Sequence, residues 1–198
     1  MFHSHDTESE WVFQVLQAIE FEVNMRIEQD VKLDFKDVLI RPKRSTLSSR
    51  AEVDLNRTYI FRNSGQTWTG IPIIAANMDH TGTLAMASAL AQHGLLTAMS
   101  KFITKSAWLD FKKNQANALS FSMVSAGSGA NDFKLLEEVM AICDAPFICL
   151  DVANGYSEAF TDVVKRVRDA FPSKTIVAGN VVTGEMVEEL ILSGAGLS

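Results

Sequence analysis

The sequence predicts an α/β fold in which short parallel strands alternate with helices. From Ile71 onward, short apolar runs are each followed by a longer stretch with apolar residues at helical spacing. The pair repeats at a period of about 25 to 29 residues. Strands that are apolar along their whole length are typical of parallel sheets covered by helices. The predicted strands are 71–76, 95–99, 121–125, 147–152 and 175–178, and the predicted helices are 83–93, 106–114, 132–142, 158–171 and 185–193.

Polar residues lie at the carboxyl end of each predicted strand, which is where both doubly wound sheets and eight-fold barrels bind ligands. Their recurrence on all five strands favours the barrel, whose site draws on every strand. No GxGxxG motif follows the first strand, which weakens the doubly wound alternative. The sequence therefore predicts an incomplete TIM-type (β/α) barrel with about five of the eight units. The strand-end residues are Asn77 and Asp79, Ser100 and Lys101, Ser125, Asp151 and Asn154, and Asn180.

Two shorter segments precede these units. Residues 1–24 are predicted to form a helical extension, because apolar residues recur at helical spacing between Glu10 and Val23. The partial barrel domain is assigned to residues 25–198. Within it, a short β-hairpin with strands at 58–61 and 67–69 is expected to lead into the first unit.

Composition excludes several classes of protein. The chain of 198 residues is 47% hydrophobic and 21% charged, which is typical of a globular domain. No apolar run reaches the roughly 18 residues of a membrane span, and the acidic N-terminus does not resemble a secretory signal. A net charge of −6 argues against nucleic acid as a partner.

The cysteines and histidines do not form a recognisable site. Cys143 and Cys149 make neither a disulfide framework nor a zinc motif, so a reducing, cytoplasmic setting is expected. The four histidines have no partner at metal-ligand spacing, so no metal site is predicted. Cys149 lies inside an apolar strand and Cys143 near a helix end, and we expect neither thiol to be a nucleophile.

Long segments of the chain resemble GMP reductases of the IMP dehydrogenase/GMP reductase family. The resemblance covers about residues 25 to 195. It is carried by LDFKDVLIRPKRSTLSSRAEVDL (33–55), IPIIAANMDHTGTLAMA (71–87), ICLDVANGYSE (148–158) and AGNVVTGEMVEELILSGA (178–195).

The resemblance implies an NADPH-dependent oxidoreductase that deaminates GMP reductively to IMP and ammonia, in purine nucleotide interconversion. In this family a cysteine from a loop after the sixth strand attacks the purine. That loop is expected beyond residue 198, so no catalytic residue is assigned and the chain alone is expected to be inactive. The full-length family also implies a homo-oligomer, a tetramer, and a possible potassium ion whose ligands are not in this chain. The cofactor-binding residues that the resemblance implies are Ser49, Arg50, Lys101, Asp151, Val152 and Ala153.

The chain departs from the family pattern at several positions. His80 and Thr81 replace a usual threonine–valine pair, and Ser100 and Phe102 replace the histidines that usually flank Lys101. The second departure, beside Lys101, bears on how the cofactor is positioned. The alternative hypothesis is a truncated, non-catalytic isoform that associates with full-length reductase subunits. IMP dehydrogenase chemistry is a third hypothesis and the least favoured.

Overall fold

The computed structural model describes residue 29 and residues 31–197. The chain divides after Ser48 into two compact units, residues 1–48 and 49–198. The predicted helix within residues 1–24 lies outside the described residues. In the described part of the first unit, Asp34 caps a short 3-10 turn, Phe35–Asp37, and the amide of Phe35 donates to Asp34 Oδ1 at 2.7 Å.

After a short 3-10 turn, Arg50–Glu52, the second unit forms the hairpin that the sequence predicts. Strand β1 (Arg57–Ile60) pairs antiparallel with strand β2 (Thr67–Gly70). Gly65 supplies the left-handed backbone of the turn, with φ at 69°, a conformation that glycine adopts without steric cost. Tyr59 lies opposite Trp68, and their stacked rings are 6.3 Å apart.

Five further strands form one parallel sheet, β3 to β7, in the same order as they occur along the chain. In a doubly wound sheet the order reverses at a switch point, so this unbroken order is that of an arc of a barrel. The five predicted β/α units are confirmed. The strands are Ile74–Ala75 (β3), Leu96–Met99 (β4), Ser122–Ala126 (β5), Phe147–Asp151 (β6) and Thr175–Gly179 (β7); the helices are Leu84–Ala91 (α1), Lys105–Asn114 (α2), Ala116–Leu119 (α3), Ala130–Cys143 (α4), Glu158–Ala170 (α5) and Gly184–Leu192 (α6).

Strand β3 is shorter than the apolar run 71–76 suggests. Pro72 has no amide hydrogen and cannot donate to a ladder. On either side of it, Ile71 donates to the carbonyl of Gly94 and Ile73 donates to the carbonyl of Ile71 at 2.7 Å. These hydrogen bonds turn the backbone away from regular strand pairing until Ile74.

The short helix α3 is a further difference, because the sequence does not predict a helix there.

The sheet has two apolar faces. Val124, Ile148 and Ile176 belong to the cluster that packs under the helices. The alternating residues, among them Met123 and Phe147, belong to a second cluster on the opposite face. Because successive side chains of a strand point to opposite faces, this alternation gives each strand a helix-facing side and an inner side.

The hairpin covers the inner face at the amino-terminal end of the strands. Phe61 packs edge-on against Phe147, the first residue of β6, at 5.8 Å between ring centroids. Beside it, Ser64 Oγ and Thr175 Oγ1 are 2.9 Å apart. Polar and apolar contacts thus hold the hairpin against the starts of the parallel strands. The hairpin does not cover the carboxyl ends of these strands.

The described chain ends at the sheet edge. Leu197 forms a parallel bridge with Val177 of β7, with hydrogen bonds to the backbone of Ile176 and Ala178. Leu197 therefore occupies the position beside β7 where the next strand of a barrel would lie. Within the described residues, no helix combines the length and apolar character that crossing a membrane requires.

Candidate functional site

The carboxyl ends of β3 and β6 meet although two strands lie between them. Asn77 Nδ2 donates to Asp151 Oδ2 at 3.0 Å. Neighbouring strands are about 4.8 Å apart, so in a flat sheet these ends would be about 14 Å apart. The hydrogen bond therefore requires a strongly curled sheet, as in a barrel. It brings the strand-end residues of β3 and β6 into one site.

The loop after β3 also holds the end of β4. Ser100, only 7% exposed, donates from Oγ to Asp79 Oδ1 at 3.1 Å. Its amide donates to the carbonyl of Gly82 at 2.8 Å. The amide of Phe102 in turn donates to Ser100 Oγ at 3.4 Å. The backbone on both sides of Lys101 is therefore anchored to the loop after β3.

Lys101 and Phe102 present a cation and an aromatic ring at this end of the sheet. Lys101 Nζ is 5.4 Å from the centroid of the Phe102 ring, and that ring is 72% exposed. In the described part of the chain, no carboxylate forms an ion pair with Lys101. A cavity of about 160 Å³ lies next to this loop, lined also by Trp108, Asp132 and Leu136 among others.

Asp151, Val152 and Ala153 follow one another at the end of β6. The backbone of Val152 is hydrogen-bonded to the end of β7. Its amide donates to the carbonyl of Gly179 and its carbonyl accepts from the amide of Asn180, both at 2.9 Å. Within residues 31–197, no hydrogen bond uses Asp151 Oδ1 or the amide of Ala153. These residues therefore leave one carboxylate oxygen and one backbone donor available to a ligand.

The loop after β6 is packed closely against the loop after β7. The amide of Gly155 donates to the carbonyl of Asn180 at 2.9 Å, and a Cβ at Gly155 would stand 2.8 Å from that oxygen. Val182 donates from its amide to Tyr156 Oη at 2.8 Å. Hydrogen bonding with Thr183 and Val182 lowers the pKa of Tyr156. The sequence alone did not indicate a role for Tyr156.

Ser49 and Arg50 lie at the start of the second unit. Ser49 Oγ accepts from the amide of Ala51 at 3.2 Å and caps the 3-10 turn Arg50–Glu52. Arg50 is exposed. The cofactor-binding role that the family resemblance implies for Ser49 and Arg50 stays a prediction.

The two cysteines are poor nucleophiles. Cys143, at the end of α4, is 1% exposed, and burial raises the pKa of its thiol. Burial also raises the pKa of Cys149 in β6 to about 11. The Ser125 hydroxyl opposite Cys149 acts in the other direction and lowers the pKa of the thiol. Both thiols are thus protonated at neutral pH.

Metal-ligating side chains do not cluster in the part of the chain that the structure describes. No group of three or more histidine, cysteine, aspartate or glutamate side chains there could hold a metal ion. The polar groups at the strand ends are amides, hydroxyls, single carboxylates and one lysine. These groups are suited to an organic ligand with hydrogen-bonding groups and negative charge.

A comparison with protein families matches most of the chain. The profile described as "IMP dehydrogenase / GMP reductase domain" spans residues 32–197. The chain belongs to this family. The match confirms the resemblance drawn from the strand-end segments, and it includes all the residues of the site described above.

Curated relatives place the chain near the reductases of the family. It is 58% identical to GMP reductase 1 of Homo sapiens over 173 residues, which are 87% of this chain and 50% of the relative. It is 57% identical to a GMP reductase of Vibrio cholerae over 175 residues, with the same two coverages. The chain therefore spans about half the length of the curated relatives it matches.

A solved structure supports the barrel assignment. The crystal structure of inosine 5' monophosphate dehydrogenase from Legionella pneumophila superposes with a TM-score of 0.67 at 29% sequence identity. The superposition covers 81% of this chain and 48% of that chain. The five parallel strands therefore match about half of a family barrel, as the sequence analysis predicted.

Proposed function

We propose that these residues form the cofactor-binding part of a GMP reductase-type oxidoreductase, which deaminates GMP reductively to IMP and ammonia with NADPH. The observation that carries the proposal is the end of β6. There, within the described residues, one carboxylate oxygen of Asp151 and the amide of Ala153 form no hydrogen bond. The relatives named GMP reductase, at 57–58% identity, favour this reaction over IMP dehydrogenase chemistry.

The chemistry of the strand ends fits a nicotinamide dinucleotide. A carboxamide has both a donor and an acceptor, and Asp151 with the Ala153 amide offers the complementary acceptor and donor. NADPH supplies a hydride when it is bound. Phe102 offers an exposed ring face for stacking against an aromatic base. The hydrogen bonds between the Val152 backbone and the end of β7 hold Asp151 and Ala153 at a fixed spacing.

Positive charge at two positions fits the phosphates of the same cofactor. Lys101 is held at the end of β4 without a carboxylate partner in the described chain. Arg50 is exposed, and its guanidinium can grip a phosphate with two parallel donors. Ser49 caps the turn that carries Arg50 and can add a hydroxyl. We propose that these residues bind the phosphates, with Asp151 and Ala153 at the nicotinamide.

We propose that these 198 residues do not supply the nucleophile of the covalent step. That step needs a thiolate, and the pKa values of Cys143 and Cys149 are both raised by burial. We therefore propose that the nucleophile comes from outside these residues. We assign no potassium site to them either. A polypeptide of these residues is thus expected to bind NADPH without consuming it in the presence of GMP.

The remaining proposals concern the setting of the enzyme. GMP and IMP are the proposed substrate and product, and a homo-oligomer such as a tetramer is the proposed assembly of the full-length family. Cys143 and Cys149 are free thiols in the structure, which suits a reducing compartment. On that ground we propose a cytoplasmic location.

Titration of the 198-residue chain with NADPH tests the site. We expect Lys101→Ala and Asp151→Ala each to raise the dissociation constant about tenfold, the effect of losing a hydrogen bond to a charged group. Two exposed residues on helices supply matched controls. Lys113→Ala in α2 and Asp169→Ala in α5 should leave the dissociation constant unchanged.

Three results would contradict the proposal. One is a wild-type chain that does not bind NADPH. Another is equal binding by the site variants and their controls. The third is GMP-dependent consumption of NADPH by this chain, which would show that one of its own residues replaces the cysteine of the family.

A further inference from the structure

We propose that Asn77 is a positioning residue, which holds the Asp151 carboxylate so that Oδ1 faces the ligand. This inference rests on the NADPH site proposed above and deepens it. The Asn77 side chain reaches Asp151 from a strand end 74 residues away in sequence.

The chemistry of the contact fixes its direction. An ionised carboxylate only accepts hydrogen bonds, so the amide nitrogen of Asn77 must face it. This contact uses Oδ2 at 3.0 Å. In the described chain, Asn77 is the only side chain that donates a hydrogen bond to Asp151. The carboxylate of Asp151 is exposed, and without this bond its rotation would be limited only by rotamer preferences.

Asn77 is itself held in place. Thr81 and Gly82 both donate from their amides to the carbonyl of Met78, at 2.9 and 2.7 Å. Gly82 also packs so closely that a Cβ there would stand 3.0 Å from Asn77 Cα. The loop that begins at Asn77 is therefore a fixed support, tied to the end of β4 through Ser100.

A neutral donor suits the proposed role. A lysine or arginine in place of Asn77 would compete with the ligand by satisfying the negative charge of Asp151. An asparagine fixes the orientation of the carboxylate and leaves its charge in place. Asp151 then remains a strong acceptor for a carboxamide or a ribose hydroxyl.

A double-mutant cycle with Asn77→Ala and Asp151→Ala in the 198-residue chain tests this inference, with the NADPH dissociation constant as the readout. We expect Asn77→Ala to weaken binding by up to about tenfold. In the Asp151→Ala background the same change should have less than about a twofold effect, because Asn77 acts through Asp151. A purely structural role would weaken binding in both backgrounds.

Two further variants sharpen the result. Asn77→Asp keeps the shape but loses the donor and adds a like charge beside Asp151, so it should weaken binding more than Asn77→Ala does. Asn117→Ala, in the short helix α3, is the matched control and should not change binding. Thermal unfolding of each variant checks that the fold is intact.

The outcomes separate this inference from the function it rests on. If Asp151→Ala weakens binding and Asn77→Ala does not, the inference is wrong and the NADPH site stands. Equal effects of Asn77→Ala in both backgrounds also overturn the inference alone. If the wild-type chain does not bind NADPH, or if Asp151→Ala has no effect, both the site and the role of Asn77 are overturned.

Discussion

Gly82 lies where the loop after β3 touches the end of β4, and an added methyl group there should disturb both. A Cβ at this position would stand 2.5 Å from the carbonyl oxygen of Ala98 and 2.8 Å from the amide nitrogen of Ser100. Ordinary contact begins at 3.4 Å, so the methyl group falls 0.9 Å short of it. Both neighbours are backbone atoms, which cannot rotate away.

The expected cost of Gly82→Ala is about 1–3 kcal/mol in the free energy of unfolding, which is typical of overpacking. For a chain of this size that corresponds to a fall in Tm of about 2–4 °C for each kcal/mol. NADPH binding should weaken as well, because Ser100 leads directly into Lys101.

The same substitution at Gly184 is the matched control. Nothing lies within 4 Å of a Cβ built on this residue, the first of α6. Gly184→Ala should stabilise the fold by about 0.4–1 kcal/mol, because alanine restricts the unfolded chain. Urea unfolding of the two variants measures the difference. Equal free energies of unfolding for Gly82→Ala and Gly184→Ala would refute the close packing described for the β3 loop.

Two other predictions concern the inner face of the sheet. Phe147→Ala should lower the free energy of unfolding by about 3–5 kcal/mol, because it leaves a cavity against Phe61. If urea unfolding shows a decrease of less than about 1 kcal/mol, the hairpin does not cover the starts of the strands. Alkylation of Cys149 in the native protein should be slow at pH 8, because at a pKa of about 11 only about 0.1% of the thiol is ionised. Rapid, selective labelling of Cys149 by iodoacetamide would contradict this prediction. The raised pKa also means that the buried thiol favours the folded state below about pH 9 and that this contribution is lost as the pH rises toward 11.

Much of the fold could be predicted from the sequence because its signals are local. The apolar runs that form β4 to β7 alternate with helical stretches, and their predicted ends differ from the observed ends by at most one residue. Helix α4 begins two residues earlier than predicted, at Ala130. The carboxylate of Asp132 accepts from the amide of Gly129 and thereby caps the first turn.

The site could be predicted only in part. Lys101 and Asp151 follow strands, and parallel strands place their carboxyl ends at one edge of the sheet. The bond between Asn77 and Asp151 depends on how far the sheet curls, and no local pattern encodes that curvature. The anchoring of Ser100 by Asp79 likewise depends on the exact approach of two loops. The sequence therefore indicates which residues share the site, while the fold determines which of them support the others.

Mapping NADPH onto the chain by amide NMR shifts tests the central claim most directly. With isotopically labelled wild-type chain, we expect the largest shifts at Lys101 and Phe102 and at Asp151 to Ala153. The hairpin residues 57–70, at the opposite end of the strands, should not shift. Shifts concentrated on the hairpin, or no saturable shifts at all, would contradict the assignment of a cofactor site to the carboxyl ends of these strands.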